Sequence, residues 1–247
     1  MSAEGSATVP VRWDVTAQNL PEHARNRIHT DEGARAAGFP RALVAGVTTY
    51  AYLTHPLVAA WGLDWVARGG AEVRLRRPVF DGDLVRCTPV ETEPDGAVVV
   101  HALTDEPEQP RALLRGIREC GPAPTMRDGE PLRDIELRLE GELGSDYGSR
   151  AGDDLALFAD HGVVHPAVWP AVANQVVHTQ VARGSWIHTR SIVRHHALTR
   201  AGSLATVRAV VVRRFESHGE RAVLDVVVEV DGATVASLEH EAIVALP

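Results

Sequence analysis

The stretch VTTYAYLTHPLVAAWGLDWVARGGAEVRLRRPVFDGD, residues 47–83, changes its hydrophobic period partway along. In its first part Thr48, Thr49, Tyr52, Leu53, Leu57, Val58, Trp61 and Trp65 recur at three- and four-residue intervals, which predicts a long helix. Pro56 must kink that helix or split it in two, and Gly69-Gly70 stops it. The run is long enough to span a bilayer, but His55, Pro56 and Asp64 interrupt it, so it reads as a buried helix. From Ala71 the period becomes two: Ala71, Val73, Leu75 and Arg77 face one way, and Glu72, Arg74 and Arg76 the other. This strand runs through Pro78-Val79-Phe80 into the turn Asp81-Gly82-Asp83.

Working outward, residues 84–91, 97–104 and 112–119 read as strands separated by Pro94-Asp95-Gly96 and by the polar stretch 106–110. Upstream, residues 11–15 suit a short strand, and 31–37 a short helix ending at Gly38, a residue suited to the left-handed position after a helix. Residues 121–133, rich in Pro, Gly and charge, form a natural linker. Beyond it the order of elements returns: a strand at 134–143, a short element at 155–160, a helix at 166–182, then strands through 185–246 broken near Arg200-Ala201-Gly202, at 216–220 and at Asp231-Gly232. Val66-Ala67-Arg68-Gly69 recurs as Val181-Ala182-Arg183-Gly184, each time between helix and strand. The expected organisation is therefore an N-terminal unit, 1–120, and a C-terminal unit, 134–247. A long helix followed by antiparallel strands, occurring twice, suggests α+β architecture with a curved sheet around each helix, whose edge strands can pair.

With 247 residues, 45% of them hydrophobic, the chain can bury one large core or two small ones. Lysine is absent and the formal charge is -8, leaving no basic run to bind a phosphate backbone, so nucleic acid is not an expected partner. Residues 1–15 hold Glu4 and Asp14 and no apolar core of a secretory signal, so the cytoplasm is the expected compartment, without a membrane partner. Cys87 and Cys120 have neither CxxC spacing nor a strongly basic neighbourhood and read as buried free thiols. There is no GxSxG, P-loop or GxGxxG to support a serine hydrolase, an NTPase or a dinucleotide enzyme.

Asn26-Arg27-Ile28-His29-Thr30-Asp31 precedes Gly38-Phe39; Leu43-Val44-Ala45-Gly46-Val47-Thr48 opens the long helix, and Arg76-Arg77-Pro78-Val79-Phe80-Asp81-Gly82-Asp83 follows it. Over about residues 18–85 this combination resembles the MaoC-like acyl dehydratases and (R)-specific enoyl-CoA hydratases, whose motif reads Asp-x-Asn-Pro-x-His. The resemblance implies a double hotdog fold, with two curved antiparallel sheets each wrapped around a long helix. It also implies a hydro-lyase that works without a cofactor on an α,β-unsaturated or 3-hydroxy acyl thioester of coenzyme A or acyl carrier protein. His29 matches the catalytic His, Asn26 the motif Asn, and Gly46 the glycine whose N–H polarises the thioester carbonyl. Arg27 stands at the proline position, and Ala24 stands where the catalytic Asp belongs.

Addition of water needs one group for the water's proton and one for the proton at carbon α, and alanine supplies neither. Glu22, His23 and Asp31 are near enough in sequence to substitute. Without a substitute, His29 remains a lone acid/base suited to isomerisation or cyclisation of an activated carbonyl compound, or the chain is a catalytically silent acyl-binding subunit. A thioesterase would need a carboxylate near the helix to activate water, and Asp64 lies at its far end. Val47, Arg77 and His165 complete the candidate substrate-binding residues; His165 precedes the second helix in a place comparable with Ala45-Gly46. Arg74, Arg76 and Arg77 suit coenzyme A phosphates or, more simply, a solvated strand face. His161 and His165 have an HxxxH spacing with no third metal ligand nearby, and His195-His196 reads as structural. One chain with two such units resembles a dimer of single ones, and its edges leave room for a homo-oligomer.

Overall fold

A computed structural model describes residues 9–246; of the N-terminal stretch read for a secretory signal, residues 1–8 lie outside it. Two short 3-10 turns, Pro21–Arg25 and Arg27–His29, follow strand β1 (Trp13–Thr16) and lead into helix α1 (Asp31–Ala36). Thr30 caps α1 by accepting from the Gly33 N–H, and Gly38 takes the left-handed conformation beyond it, with φ of 83°. Helix α2 (Gly46–Arg68) then carries Tyr50, Tyr52, Leu53, Leu57 and Trp65, all essentially inaccessible to solvent. Each such side chain contributes roughly 1.5–3 kcal/mol by leaving water. The expected break at Pro56 falls instead at Gly62, whose φ of 61° and ψ of -155° suit glycine alone. Pro56 is buried within the helix, so packing holds the turn that its missing N–H weakens.

Strands β2 (Gly70–Leu75), β3 (Leu84–Thr92), β4 (Val98–Leu103) and β5 (Ala112–Ile117) complete the first half. In the second, β6 (Glu130–Pro131) and β7 (Ile135–Arg138) precede helices α3 (Tyr147–Ala151), α4 (Leu157–His161) and α5 (Val168–Val176), the last continued by a π-helical turn, Val177–Val181. Strands β8 (Ile187–His195), β9 (Leu204–Glu216), β10 (Glu220–Val230) and β11 (Ala233–Ala245) follow. The element expected at 155–160 is α4, and α3 is an addition to the expected order.

The two separate sheets of the expected architecture are in fact one. Among the described residues, eleven strands form a single antiparallel sheet in the order β1-β3-β4-β5-β2-β8-β11-β10-β9-β6, with β7 also paired to β9. The halves join where β2 pairs with β8, from Gly70 opposite Arg194 to Arg74 opposite Arg190. Read outward from this seam, β2-β5-β4-β3-β1 mirrors β8-β11-β10-β9 and its short edge strands. Pairing satisfies two rows of backbone groups that separate sheets would leave open. Helix α2 packs on β2 to β5 and on β8, and α5 on β8 and β11, so both helices touch the strand at the seam. The 121–133 linker is not wholly irregular: Glu130 and Pro131 pair with β9, and Arg127 is ion-paired with Asp225 and Glu239.

Strand β8 contains one extra residue. Glu241 pairs with Arg190 but Ala242 with His188, so Thr189 is bulged. The inward-facing phase changes there: His188 is buried on one side of the bulge, and Ser191, Val193 and His195 on the other. Cys87 is buried in β3, whereas Cys120 lies beyond β5 and is only partly covered, so the expectation that both thiols are buried holds for Cys87 alone. Among the described residues no helix is long and apolar enough to cross a membrane.

Candidate active site

The turn Asp81-Gly82-Asp83 and the loop bearing His29 are built as a unit. Ala17 N–H donates to the Asp83 carbonyl and Gly82 N–H to that of Ala17, each at 2.8 Å. Asp83 accepts from the Phe80 N–H at 2.9 Å and pairs with Arg41 at 2.8 Å. Asp81 accepts from the Asn19 N–H at 2.8 Å, and the Asn19 amide donates to the His29 carbonyl, also at 2.8 Å. The turn thereby fixes the backbone of His29 from more than fifty residues away.

The His29 side chain is fixed separately. Its Nδ1 lies 2.8 Å from the Leu43 carbonyl oxygen, which can only accept, so Nδ1 carries the proton and Nε2 keeps its lone pair. Burial pushes the His29 pKa down, against a smaller upward effect of that bond, and the ring is neutral at physiological pH. Asn26 is buried; its amide donates to the Trp186 carbonyl at 2.8 Å, clipping the loop to the second half of the chain.

His29, Asn26, Asn174 and Trp186 line both of two adjoining cavities, the two lobes of the candidate site. One lobe is bounded by Val47, Tyr147 and the face of α5 and its π turn that carries Gln175, His178 and Thr179. The other is bounded by Gly46, Leu75, Arg76, Arg77, His188 and Arg221. Gly46 is not a glycine for backbone freedom: a Cβ there would lie 2.3 Å from Leu75 Cδ1 and 3.1 Å from His188 Nδ1. Its N–H belongs to the first turn of α2, where amides have no intrahelical acceptor and the helix dipole is positive. Arg77 is about half exposed and pairs with Glu106 only at 3.8 Å, leaving the guanidinium available. Arg221 is held by Glu241 at 2.6 Å.

The three candidate substitutes for the missing carboxylate part company. Asp31 is exposed, accepts from the Ala42 N–H at 2.9 Å and pairs with Arg35, and lines neither lobe. Glu22 lines the α5 lobe but is bonded to Arg150 at 2.6 Å. His23 also lines that lobe, its ring centre 5.9 Å from that of His29. His23 Nε2 lies 3.2 Å from both Tyr147 Oη and Thr48 Oγ1, and those two hydroxyls are 3.0 Å apart. Burial and the neighbouring His29 lower the His23 pKa to about 3, and burial raises that of Tyr147, so both are neutral hydrogen-bonding groups. Ala24 is exposed.

Of the residues singled out from sequence, His29 and Asn26 therefore line both adjoining cavities, Gly46 and Arg77 one of them and Val47 the other. His165 does not join them: it is fully buried, its Nδ1 accepts from the Ala167 N–H at 3.1 Å, and its Nε2 faces Asp153 at 3.5 Å. His55 Nε2 reaches the same aspartate at 3.6 Å and Asp154 at 2.7 Å. These three groups are close enough together to hold a metal ion. The short His55–Asp154 bond accounts for the histidine nitrogen without one. Tyr147, Asn174, Trp186 and His188 were not legible as site residues; only the pseudo-repeat, which sets α5 against the His29 loop as α2 is set against the α3 segment, could have drawn attention to Asn174.

No protein-family model matches the sequence, and no curated protein does. Solved structures match along the whole chain. A putative MaoC domain protein dehydratase from Chloroflexus aurantiacus J-10-fl superposes with a TM-score of 0.62 at 11% identity, covering 100% of both chains. RV0216 of Mycobacterium tuberculosis, described as a double hotdog fold, gives 0.64 at 12% identity over 94% of this chain and 93% of that one. The dehydratase domain of PpsC from the same organism, solved with C12:1-CoA, gives 0.60 at 12% identity over 94% and 93%. At such identities the likeness establishes the fold: a hotdog-like architecture doubled in one chain, with helices packed on one large antiparallel sheet.

Proposed function

We propose that this protein is an acid/base enzyme of the hydratase/dehydratase type, acting on an α,β-unsaturated or 3-hydroxy acyl thioester. The observation that carries this reading is the tautomer of His29: with Nδ1–H committed to Leu43, a neutral Nε2 is left as a base at the junction of the two lobes. A thioester carbonyl at the Gly46 N–H would set carbon α and carbon β beside that nitrogen, where the positive end of α2 stabilises an enolate-like oxygen. The carrier would lie in the lobe with Arg76, Arg77 and Arg221, and the acyl group against α5. Asn26 acts as a positioning residue, because its bond to Trp186 holds the His29 loop on the second half.

With Ala24 in place of an aspartate, His29 must serve twice. In hydration its Nε2 takes the proton from water as oxygen bonds to carbon β, then returns that proton to carbon α on the same face. His23, with Tyr147 and Thr48, supplies hydrogen bonds to the water. A second reading, a lone-histidine isomerase or cyclase, draws support from the solvent exposure of Ala24 and from the ion pairs of the two carboxylates that line the cavity, Glu22 with Arg150 and Glu142 with Arg25, which leave neither free to hold water.

Mass spectrometry of protein incubated with crotonyl and 3-hydroxyacyl thioesters separates these readings. A change of one water, lost in His29→Ala, supports the hydro-lyase. Exchange of the α-hydrogen in deuterium oxide without gain or loss of water supports the isomerase. If wild type is inert and Ala24→Asp hydrates, the pocket binds acyl thioesters but its native role lies elsewhere. Release of free thiol would indicate a thioesterase.

A further inference from the structure

Behind Gly46 lies a hydrogen-bonded chain that the reaction as described does not use. His188 Nε2 is 2.8 Å from Ser191 Oγ, which is 2.8 Å from His240 Nδ1. All three side chains are buried, the two imidazole rings stack with centres 4.4 Å apart, and the Thr189 bulge turns His188 and Ser191 to the same side of β8. Two atoms of this chain have no partner: His240 Nε2 in the core, and His188 Nδ1, buried beside Gly46 on a residue that lines the cavity.

Proton counting links those two atoms. Each neutral imidazole carries one proton and Ser191 has one to give, so a chain in which Ser191 spends its proton between the two rings has two states. In one, His188 Nε2–H donates to Ser191, Ser191 donates to His240 Nδ1, and His240 Nε2–H is stranded in the core. In the other, His240 Nδ1–H donates to Ser191 and Ser191 to His188 Nε2, so His240 Nε2 is a lone pair and the unpaired N–H is that of His188 Nδ1. Each state strands one buried N–H; only in the second does it belong to the ring that lines the cavity.

We propose that His188 is a second catalytic donor which, together with the Gly46 N–H, holds the substrate carbonyl oxygen as charge builds on it, and that Ser191 and His240 are positioning residues that fix its Nδ1–H tautomer. This rests on the thioester reading given above. The role breaks no bond to hydrogen at His188: the Nδ1 proton stays in place while His29 exchanges its own. A neutral imidazole suits the task, since burial, against a smaller upward effect of the Arg190 backbone, holds the His188 pKa at about 3, and the ring donates without becoming a competing acid. The positive end of α2 makes that N–H unwelcome in the empty cavity and well placed once an oxygen anion forms.

Two experiments test the proposal. Ring-nitrogen NMR of the 15N-labelled protein, with His188 assigned by its loss in His188→Gln, should show a neutral Nδ1–H tautomer in wild type and a shift toward Nε2–H in Ser191→Ala. An Nε2–H tautomer in wild type would overturn the proposal whatever the kinetics of the variants show. The second uses geometry: Gln reaches the Nε2 position and leaves that of Nδ1 empty, whereas Asn supplies an N–H near the Nδ1 position. His188→Gln should lower kcat about 100- to 1000-fold with KM changed far less, His188→Asn should recover part of the loss, and the infrared red shift of a bound 13C-labelled crotonyl carbonyl should follow the same order. Turnover unchanged in His188→Gln overturns the role of His188 alone. If wild type neither binds nor turns over any thioester, the thioester reading falls and takes this role with it.

Discussion

The two halves of the chain build corresponding places to different ends. Leu43 bridges to Phe80 as Val163 bridges to Arg200, and Val44 N–H donates to the Val79 carbonyl as Val164 N–H does to that of Thr199. Ala45 and His165 therefore occupy equivalent positions just before α2 and α5. In the first half the small Ala45 and Gly46 leave the helix terminus open to a cavity faced by His29. In the second, the His165 ring fills that space, stacked against Tyr147 and in contact with Phe158, while His55 from α2 and Asp153 close over it. The π turn after α5 belongs to the same asymmetry, since it carries His178 and Thr179 into the lobe served by the first half's loop. On the reading proposed above, the site lies at one end of the doubled fold, lined by both halves, and the matching end is filled with packed side chains.

That contrast can be broken by exchanging function for stability at matched places. His29→Ala should reduce turnover about 1000-fold or more while moving Tm by no more than a few degrees, as steady-state kinetics and calorimetry would show. His165→Ala should do the reverse, costing about 2–4 kcal/mol in denaturant unfolding, because it leaves a cavity and removes a partner of buried Asp153, with kcat changed less than about threefold. Equal losses of activity in the two variants would mean that both places are sites. Gly46→Ala should cost about 1–3 kcal/mol through the contact with Leu75, and adding Leu75→Ala should recover most of that stability.

Acid sharpens the comparison further. His23, His188 and His195 have folded pKa values of about 3, about 3 and about 4, and burial lowers that of His240 as well. Unfolded histidines titrate near 6.5. The unfolded state therefore binds more protons below that pH. The stability these rings contribute is complete above about pH 6.5 and is lost as pH falls toward their folded values, each ring adding up to ~1.4 kcal/mol per pH unit. Chemical denaturation between pH 4 and 7 should show this slope, and His195→Gln should flatten it. The same sign governs catalysis: with its pKa pushed down, His29 stays a base below pH 6.5, so kcat/KM should be level from neutral pH to that point. The smallest effect belongs to Arg77→Ala, expected to raise KM for a coenzyme A thioester about three- to tenfold, at roughly 1 kcal/mol, with kcat little altered.

Much of this was legible in the amino-acid order. The switch of period at Gly69-Gly70 set α2 and β2, the motif residues Asn26, His29 and Gly46 fell around one cavity, and the Asp81-Gly82-Asp83 turn proved to hold the His29 loop. What escaped notice has physical reasons. The kink at Gly62 depends on packing that holds Pro56 in the helix. Helix α3 is five residues of YGSRA, too short to show a period. His188 was hidden because the Thr189 bulge shifts β8 by one residue, so simple alternation assigns His188 and Ser191 to opposite faces. Tyr147 and Trp186 reach the cavity through tertiary contacts more than a hundred residues long, the His23–Tyr147 contact and the Asn26–Trp186 clip.

The seam between β2 and β8 also matters while the protein is being made. More than a hundred residues separate the two strands, so at ~5–20 residues per second the ribosome exposes β2 on the order of 10 s before its partner emerges. During that interval the nascent first half presents a bare strand edge beside a hydrophobic sheet, the arrangement most prone to pairing with a neighbouring chain. Glu72 and Arg74, which in the finished protein form an ion pair at 2.8 Å that also engages Arg190 of β8, place opposite charges along that edge. Charges so placed disfavour pairing with an apolar strand of another chain, and β8 brings the cation that completes the network.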